Sequence, residues 1–185
     1  MLDALNELAV EPGDCILVPA GLPHAIGEGI MLVELQEPSD LSVLLEWTDF
    51  EVDGTRDGHL GLGFDVALES VRRAAVGEDE LAGLKQSTAD TPEARPGART
   101  LVPPVASGFF RAERLQPSPA VSLEPAFSIL VVLDGDGELE TEAGGALPLG
   151  RGETVLVPHA AGAGELTGGV DVIRCLPPAS GGVET

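Results

Sequence analysis

Residues 13–24 read Gly-Asp-Cys-Ile-Leu-Val-Pro-Ala-Gly-Leu-Pro-His and carry the most informative pattern in this chain. A glycine followed by an acidic residue opens a turn, four apolar or weakly polar residues follow, and Pro19-Ala20-Gly21 turns the chain again. The next segment begins with His24. We therefore expect a short strand between two tight turns, with an imidazole at the start of the following strand. That imidazole could bind a divalent metal, or it could be a hydrogen-bonded histidine of the core.

Short apolar runs bounded by turn residues recur along the rest of the chain, which contains 24 glycines and 15 prolines. Such runs predict strands, here over residues 15–18, 30–33, 111–115, 127–133, 138–141 and 154–157. The middle of the chain differs. Apolar residues at helical spacing predict a helix over residues 64–75, and a second short helix is expected over 78–86. Four prolines and few apolar residues in 87–104 predict a linker.

The first pattern recurs late in the chain. Residues 13–19 and 152–158 both read Gly, an acidic residue, three further residues, Val and Pro. Residues 29–34 and 169–174 then share a glycine and an apolar alternation, which suggests two copies of one supersecondary unit, unless two Gly/Val/Pro-rich strands are alike by chance. The copies differ at their polar positions: the first has His24 and Glu34, whereas the second has small residues and Arg174. Any chemistry is therefore expected in the first copy.

The charge balance excludes several classes of function. Thirty-one Asp and Glu residues against ten Lys and Arg residues give a net charge of −21, which repels nucleic acids and anionic membrane surfaces. An anionic metabolite would need a local basic site. No apolar run is long enough for a transmembrane helix, and the first ten residues lack the basic region of a signal peptide. Two cysteines, Cys15 and Cys175, are too few for a disulfide framework and are expected to be buried thiols of a cytoplasmic protein.

Residues 18–40 resemble a known enzyme family. The spacing of Gly13, Pro19, Gly21 and His24 matches the second sequence motif of the cupin superfamily. The longer run Pro-Ala-Gly-Leu-Pro-His-Ala-Ile-Gly, followed by Gly-Ile, Glu-Leu-Gln and Ser-Asp in that order, resembles the type I mannose-6-phosphate isomerases. The resemblance is dense from Val10 to Trp47 and looser beyond.

This resemblance implies a mainly β protein built of cupin jelly-roll barrels. It implies a zinc-dependent aldose-ketose isomerase that interconverts mannose 6-phosphate and fructose 6-phosphate, a small phosphorylated sugar being the partner. His24 then corresponds to the family's last zinc ligand. Glu34 corresponds to an acidic residue beside the metal, a candidate for moving the proton between C1 and C2. Without the family, Glu34 is equally well a solvated acid on a strand face.

The chain also departs from the family pattern. The family's other zinc ligands, a Gln-x-His pair and a Glu, precede this stretch, and no Gln-x-His occurs anywhere in the chain. Leu44 occupies a position where the family commonly has an arginine; Arg56 and Lys85 are possible substitutes. His59 and His159 are expected to have structural roles, His59 at a helix entry. A catalytic zinc normally has three protein ligands, so the site is expected to be incomplete in this chain.

These observations predict four regions: residues 1–50 as the C-terminal part of a catalytic cupin, 51–86 as a helical insert, 87–104 as a linker, and 105–185 as a second, degenerate cupin. The chain then corresponds to the C-terminal portion of an isomerase-like protein. The alternative is a non-catalytic two-cupin remnant that binds a sugar or a partner protein. An incomplete first barrel would expose an unpaired sheet edge, through which a homo-oligomer could form. A metal-dependent dioxygenase or epimerase on the same fold is a third, weaker possibility.

Overall fold

The computed structural model describes residues 5–37, 39 and 41–179. The chain divides into two compact units. The first comprises residues up to Val10 together with Val18–Leu84, and the second comprises Glu11–Leu17 and the chain from Lys85 onwards. Nearly all the regular structure is in the second unit. Its twelve strands are β1 (Asp14–Ile16), β2 (Lys85–Ser87), β3 (Glu93–Arg95), β4 (Ala98–Thr100), β5 (Arg111–Leu115), β6 (Ala120–Leu123), β7 (Ser128–Asp134), β8 (Asp136–Thr141), β9 (Gly145–Gly150), β10 (Thr154–Val157), β11 (Gly164–Gly168) and β12 (Asp171–Leu176).

The last eight strands form a jelly roll. Strands β5, β12, β7 and β10 are neighbours in one antiparallel sheet, and β6, β11, β8 and β9 are neighbours in the other. Numbered from the first of the eight, these orders are 1-8-3-6 and 2-7-4-5, the strand order of two interlocked Greek keys. The prediction of a mainly β protein with a jelly-roll cupin fold is therefore confirmed.

A single apolar core lies between these two sheets. Every second residue of each strand points inwards, as strand geometry requires. Leu115, Leu130, Leu166 and Val172 are completely buried, and Val121 and Val132 nearly so. The core cluster takes residues from nine strands, β4 to β12, so both sheets are needed to bury it.

Segment 87–104 is not the unstructured linker that its prolines predict. It contains β3 and β4, which extend the six-stranded sheet in the order β5, β4, β3. Ala98 of β4 is fully buried opposite Leu115. The prolines lie outside the paired residues, where the missing N–H costs no ladder hydrogen bond. Separately, β2 pairs with β1, so that Cys15 lies opposite Gln86.

In the part of the chain that the structure describes, α-helices occur only within residues 51–86. They are α1 (Gly54–Asp57), α2 (Phe64–Ala67) and α3 (Glu78–Leu84). The helix expected over 64–75 is shorter than predicted, because α2 passes into a 3-10 turn over Leu68–Ser70 and stops. The Ser70 hydroxyl donates to the carbonyl of Ala67 at 2.7 Å, and the Arg72 N–H donates to Gly21 at 2.8 Å instead of continuing the helix. Helix α3 ends before Lys85, which belongs to β2.

The strand expected over residues 30–33 is absent. Described residues between 18 and 53 form neither helix nor strand, and many of their apolar side chains are exposed, Met31 and Leu41 to more than four fifths. A strand needs a neighbour for its backbone groups, and the described part of the first unit offers none. The described residues of the first unit therefore show no sheet edge of the kind expected. At seven residues, α3 is the longest described helix, well short of the roughly twenty residues that cross a bilayer.

Candidate functional site

His24 lies on an exposed segment directly after the turn that the sequence predicts. The turn is closed by the Leu22 N–H, which donates to the Pro19 carbonyl at 3.1 Å. The ring nitrogen Nδ1 of His24 is 3.0 Å from the carbonyl oxygen of Leu22. A carbonyl can only accept, so Nδ1 carries the proton. The neutral ring therefore has its lone pair on Nε2, the arrangement that metal-ligating histidines have when the other nitrogen is held by a backbone carbonyl.

Glu34, the second predicted site residue, is also exposed. Among the residues that the structure describes, no three His, Cys, Asp or Glu side chains converge in a way that could hold a metal ion. One histidine does not meet the three-ligand requirement of a catalytic zinc, so the described residues do not fit that metal on their own. Asp40, the second residue of the Ser-Asp pair, lies outside the described residues.

His59 is a structural residue at the entry to a helix, as expected. Its Nδ1 accepts a hydrogen bond from the N–H of Gly63, the residue before α2, at 3.1 Å. The ring stands edge-on against Phe64, with centroids 5.1 Å apart, and Trp47 stacks on the same phenyl ring at 5.9 Å. His159, by contrast, is exposed in a 3-10 turn of the second unit.

The two basic residues considered as substitutes for the family's arginine are each paired with an acid. Arg56 forms an exposed ion pair with Asp57 at 2.7 Å. Lys85 is paired with Asp14 at 2.7 Å, and the hydrogen bond from Lys85 is the main reason why the pKa of Asp14 is lowered. Leu44 itself donates its N–H to the carbonyl of Gly58 at 2.8 Å, so its backbone has a local structural role.

The cysteines are only partly as expected. Cys175, on β12, is buried, and Cys15, on β1, is half-buried. Burial raises the pKa of both thiols, which lowers the fraction of reactive thiolate at neutral pH.

A set of charged residues inside the second unit was not predicted. Arg174 on β12 is 4% exposed, on the same strand face as the core residue Val172. Its Nη1 is 3.8 Å from Glu113 on β5, and Arg95 on β3 binds that same carboxylate with both Nη groups, at 2.7 and 3.0 Å. The signal was available: Arg174 alternates with buried Val172 and Leu176, so strand periodicity alone points it inwards.

In sequence, this chain is similar to two curated mannose-6-phosphate isomerases. It is 25% identical over 177 residues to the mannose-6-phosphate isomerase ManA of Bacillus subtilis, covering 92% of this chain and 51% of that protein. It is 26% identical over 171 residues to the mannose-6-phosphate isomerase of Streptococcus mutans, covering 91% of this chain and 50% of that protein. No family model matches.

Among solved structures, the mannose 6-phosphate isomerase of Bacillus subtilis aligns with a TM-score of 0.44 and 20% identity, over 62% of this chain and 34% of that one. The chain spans about half the length of the curated relatives that it matches. Its sequence similarity to them extends over nine tenths of its own length, and its second unit has the jelly-roll topology of a cupin. This chain is therefore similar in sequence to mannose-6-phosphate isomerases, and its second unit has a cupin-type jelly-roll fold.

Proposed function

We propose that this chain is a portion of a mannose-6-phosphate isomerase, which interconverts mannose 6-phosphate and fructose 6-phosphate, and that His24 and Glu34 are its contribution to the active site. The sequence relationship supports the family, since it covers both units of the chain. The single observation that supports the site is the hydrogen bond from Nδ1 of His24 to Leu22, which leaves Nε2 as a ready metal ligand.

Aldose-ketose conversion needs a base that removes a proton from the carbon next to the carbonyl and an acid that returns it to the neighbouring carbon. A single carboxylate can do both, and we assign this task to Glu34. Zinc is the cofactor that the resemblance implies, with His24 as one ligand. Because the described residues supply no complete ligand set, we assign no catalytic step to the metal in this chain.

The test is a coupled assay for fructose 6-phosphate formation. We expect the 185-residue chain alone to be inactive, and a version extended upstream by a Gln-x-His segment and its Glu ligand to be active. In the extended protein, His24→Ala should abolish zinc binding, and Glu34→Gln should lower kcat by roughly 10²–10⁴-fold with zinc retained. His159→Ala and Glu37→Gln are the matched controls and should change neither quantity. An extended protein that binds zinc yet is inactive would refute the proposal.

A second candidate is a non-catalytic protein that binds a sugar phosphate. The exposure of His24 and Glu34 favours this alternative, because catalytic carboxylates usually need a drier setting than the described first unit provides. Calorimetric titration of the 185-residue chain with mannose 6-phosphate distinguishes the two. Binding that is unchanged in a His24→Ala, Glu34→Gln double variant would support the non-catalytic candidate.

A further inference from the structure

A row of charged and polar side chains runs along the six-stranded sheet of the second unit. Arg95, Glu113, Arg174 and Ser128 follow one another from β3 to β7. Nε of Arg174 donates to the Ser128 hydroxyl at 3.3 Å, and its Nη2 donates to the carbonyl of Glu124 at 2.9 Å. Ser128 is completely buried. Burial of the Arg174 guanidinium is costly, since this ion loses its hydration.

Both carboxylate oxygens of Glu113, at the centre of this row, contact arginine side chains. Burial alone would raise the pKa of Glu113, but hydrogen bonds from Arg95 and the charges of Arg95, Arg174 and Arg111 outweigh it and lower the pKa. Glu113 is thus an anion at neutral pH. It can balance only one of these three guanidinium groups.

A cavity of about 500 Å³ opens beside this row, within the second unit. Glu113, Arg111 and Leu176 are part of its wall, and its other polar lining residues are Gln86, Thr91, Glu93, Thr100 and Ser107. Arg111 donates through Nε to the carbonyl of Pro177 at 3.0 Å, which orients the guanidinium. No other hydrogen bond of Arg111 is found within the described part of the chain, so its two Nη groups remain available.

The charged residues in the wall of this cavity are Arg111, Glu93 and Glu113. Both carboxylates have arginine partners that are not part of the wall: Arg99 pairs with Glu93 at 3.2 Å, and Arg95 binds Glu113 with both Nη groups. Arg111 forms no ion pair with a carboxylate among the described residues. Guanidinium groups bind oxyanions with two parallel N–H bonds, so Arg111 can bind a small anion that reaches the cavity.

We propose that this cavity of the second unit binds a small oxyanion, a phosphate or carboxylate group, with the Nη groups of Arg111 as its direct partner. Arg95 and Arg174 balance the charge of Glu113 and hold its carboxylate in place. The Thr100 hydroxyl is a neutral polar group of the same wall. The site contains neither His24 nor Glu34, so it is independent of the isomerase proposal.

The experiment is a calorimetric titration of the 185-residue chain with inorganic phosphate and, separately, with acetate, at low ionic strength, with sodium chloride matched as a control. Three variants accompany the wild type. Arg111→Gln removes the direct partner. Glu93→Gln removes a negative charge from the cavity wall. Arg151→Gln removes a positive charge at an exposed position outside the cavity and is the matched control.

We expect saturable binding of at least one of the two anions, weakened roughly tenfold in Arg111→Gln, since a charge-assisted hydrogen-bond pair is lost. Glu93→Gln should bind more tightly and Arg151→Gln as the wild type does. Comparing phosphate with acetate shows whether the site binds a phosphate group or a carboxylate group. The proposal is overturned if neither anion binds saturably, or if Arg111→Gln and Arg151→Gln weaken binding equally, because the effect is then one of net charge only.

Discussion

The side chains of Asp14 and Glu153 accept equivalent hydrogen bonds in two similar turns, one in each copy of the repeat. The Asp14 carboxylate accepts from the N–H of Glu11 at 2.7 Å, and the Glu153 carboxylate accepts from the N–H of Gly150 at 2.7 Å. In each turn the acidic residue also donates its own N–H to the carbonyl three residues earlier, at 3.0 and 3.2 Å. The glycine before each acid has a positive φ, 95° at Gly13 and 87° at Gly152. The two copies of the repeat therefore begin with the same local geometry.

Replacing each of these two glycines by alanine separates the cost of the positive φ from the cost of a steric contact. Gly152→Ala places a methyl group in open space, so we expect the free energy of unfolding to fall by about 1 kcal/mol, from the positive φ alone. Gly13→Ala meets the same strain, and its Cβ would also lie 2.7 Å from the Thr88 hydroxyl. We expect a larger loss for Gly13→Ala in urea unfolding followed by circular dichroism. Equal losses would mean that the contact with Thr88 adds no cost at Gly13.

The core between the two sheets should be sensitive to truncation. Leu130→Ala removes a fully buried side chain from the centre of β7, and we expect a loss of about 2–5 kcal/mol in the free energy of unfolding. Leu156→Ala, on a side chain that is 61% exposed on β10, is the control and should cost less than about 1 kcal/mol. Urea unfolding followed by far-ultraviolet circular dichroism measures both. Similar costs for the two variants would show that the sheets do not share one core.

Glu113 should make the free energy of unfolding depend on pH in the acid range. Its pKa in the folded protein is lowered, so its stabilising contribution is fully present above the unfolded-state pKa near 4.5 and is lost as the pH falls through the folded-state value. In Glu113→Gln, the free energy of unfolding should depend less on pH below about 4.5. At pH 7 it should cost about 3–5 kcal/mol, because Arg95 and Arg174 lose their counter-charge.

Glu138, exposed on β8, provides the control for this acid dependence. Glu138→Gln should leave both the pH profile and the stability at pH 7 nearly unchanged. Urea midpoints measured from pH 3 to pH 8 make the comparison. An unchanged acid limb in Glu113→Gln would mean that other carboxylates dominate the pH dependence.

Trp47 reports on the first unit, since it is the single tryptophan of the chain and stacks on Phe64. Phe64→Leu removes the stacked ring, and we expect the Trp47 emission maximum to move to longer wavelength with a loss of about 1 kcal/mol beyond the lost burial. Phe109→Leu, on an exposed residue of the second unit, is the control and should leave the emission unchanged. Fluorescence spectra at neutral pH decide the matter.

Much of the second unit followed from local patterns. The expected strands near residues 111–115, 127–133, 138–141 and 154–157 all form, because alternation of apolar residues fits a sheet that buries one face. The linker prediction failed for the opposite reason. Residues 93–100 have little apolar content of their own, and they become strands because β5 offers them an unpaired edge.

The charged and catalytic candidates also divide into residues that the sequence could identify and residues that only the folded structure brings together. His24 could be found from sequence, since the turn before it is defined by local residues, and the hydrogen bond to Leu22 spans only two positions. The grouping of Arg95, Glu113 and Arg174 could not be found, because their side chains meet only after β3, β5 and β12 are placed in one sheet.

Turns, strand periodicity and the resemblance to mannose-6-phosphate isomerases could thus be recognised from the sequence, because each depends on residues a few positions apart. Pairing was not. Residues 13–16 and 152–157 begin alike, yet β1 lies against β2 and β10 against β7, while residues 30–33, which match β12 in pattern, form no strand among the described residues. A strand exists only where another segment satisfies its backbone hydrogen bonds, and that partner is supplied by the folded chain as a whole.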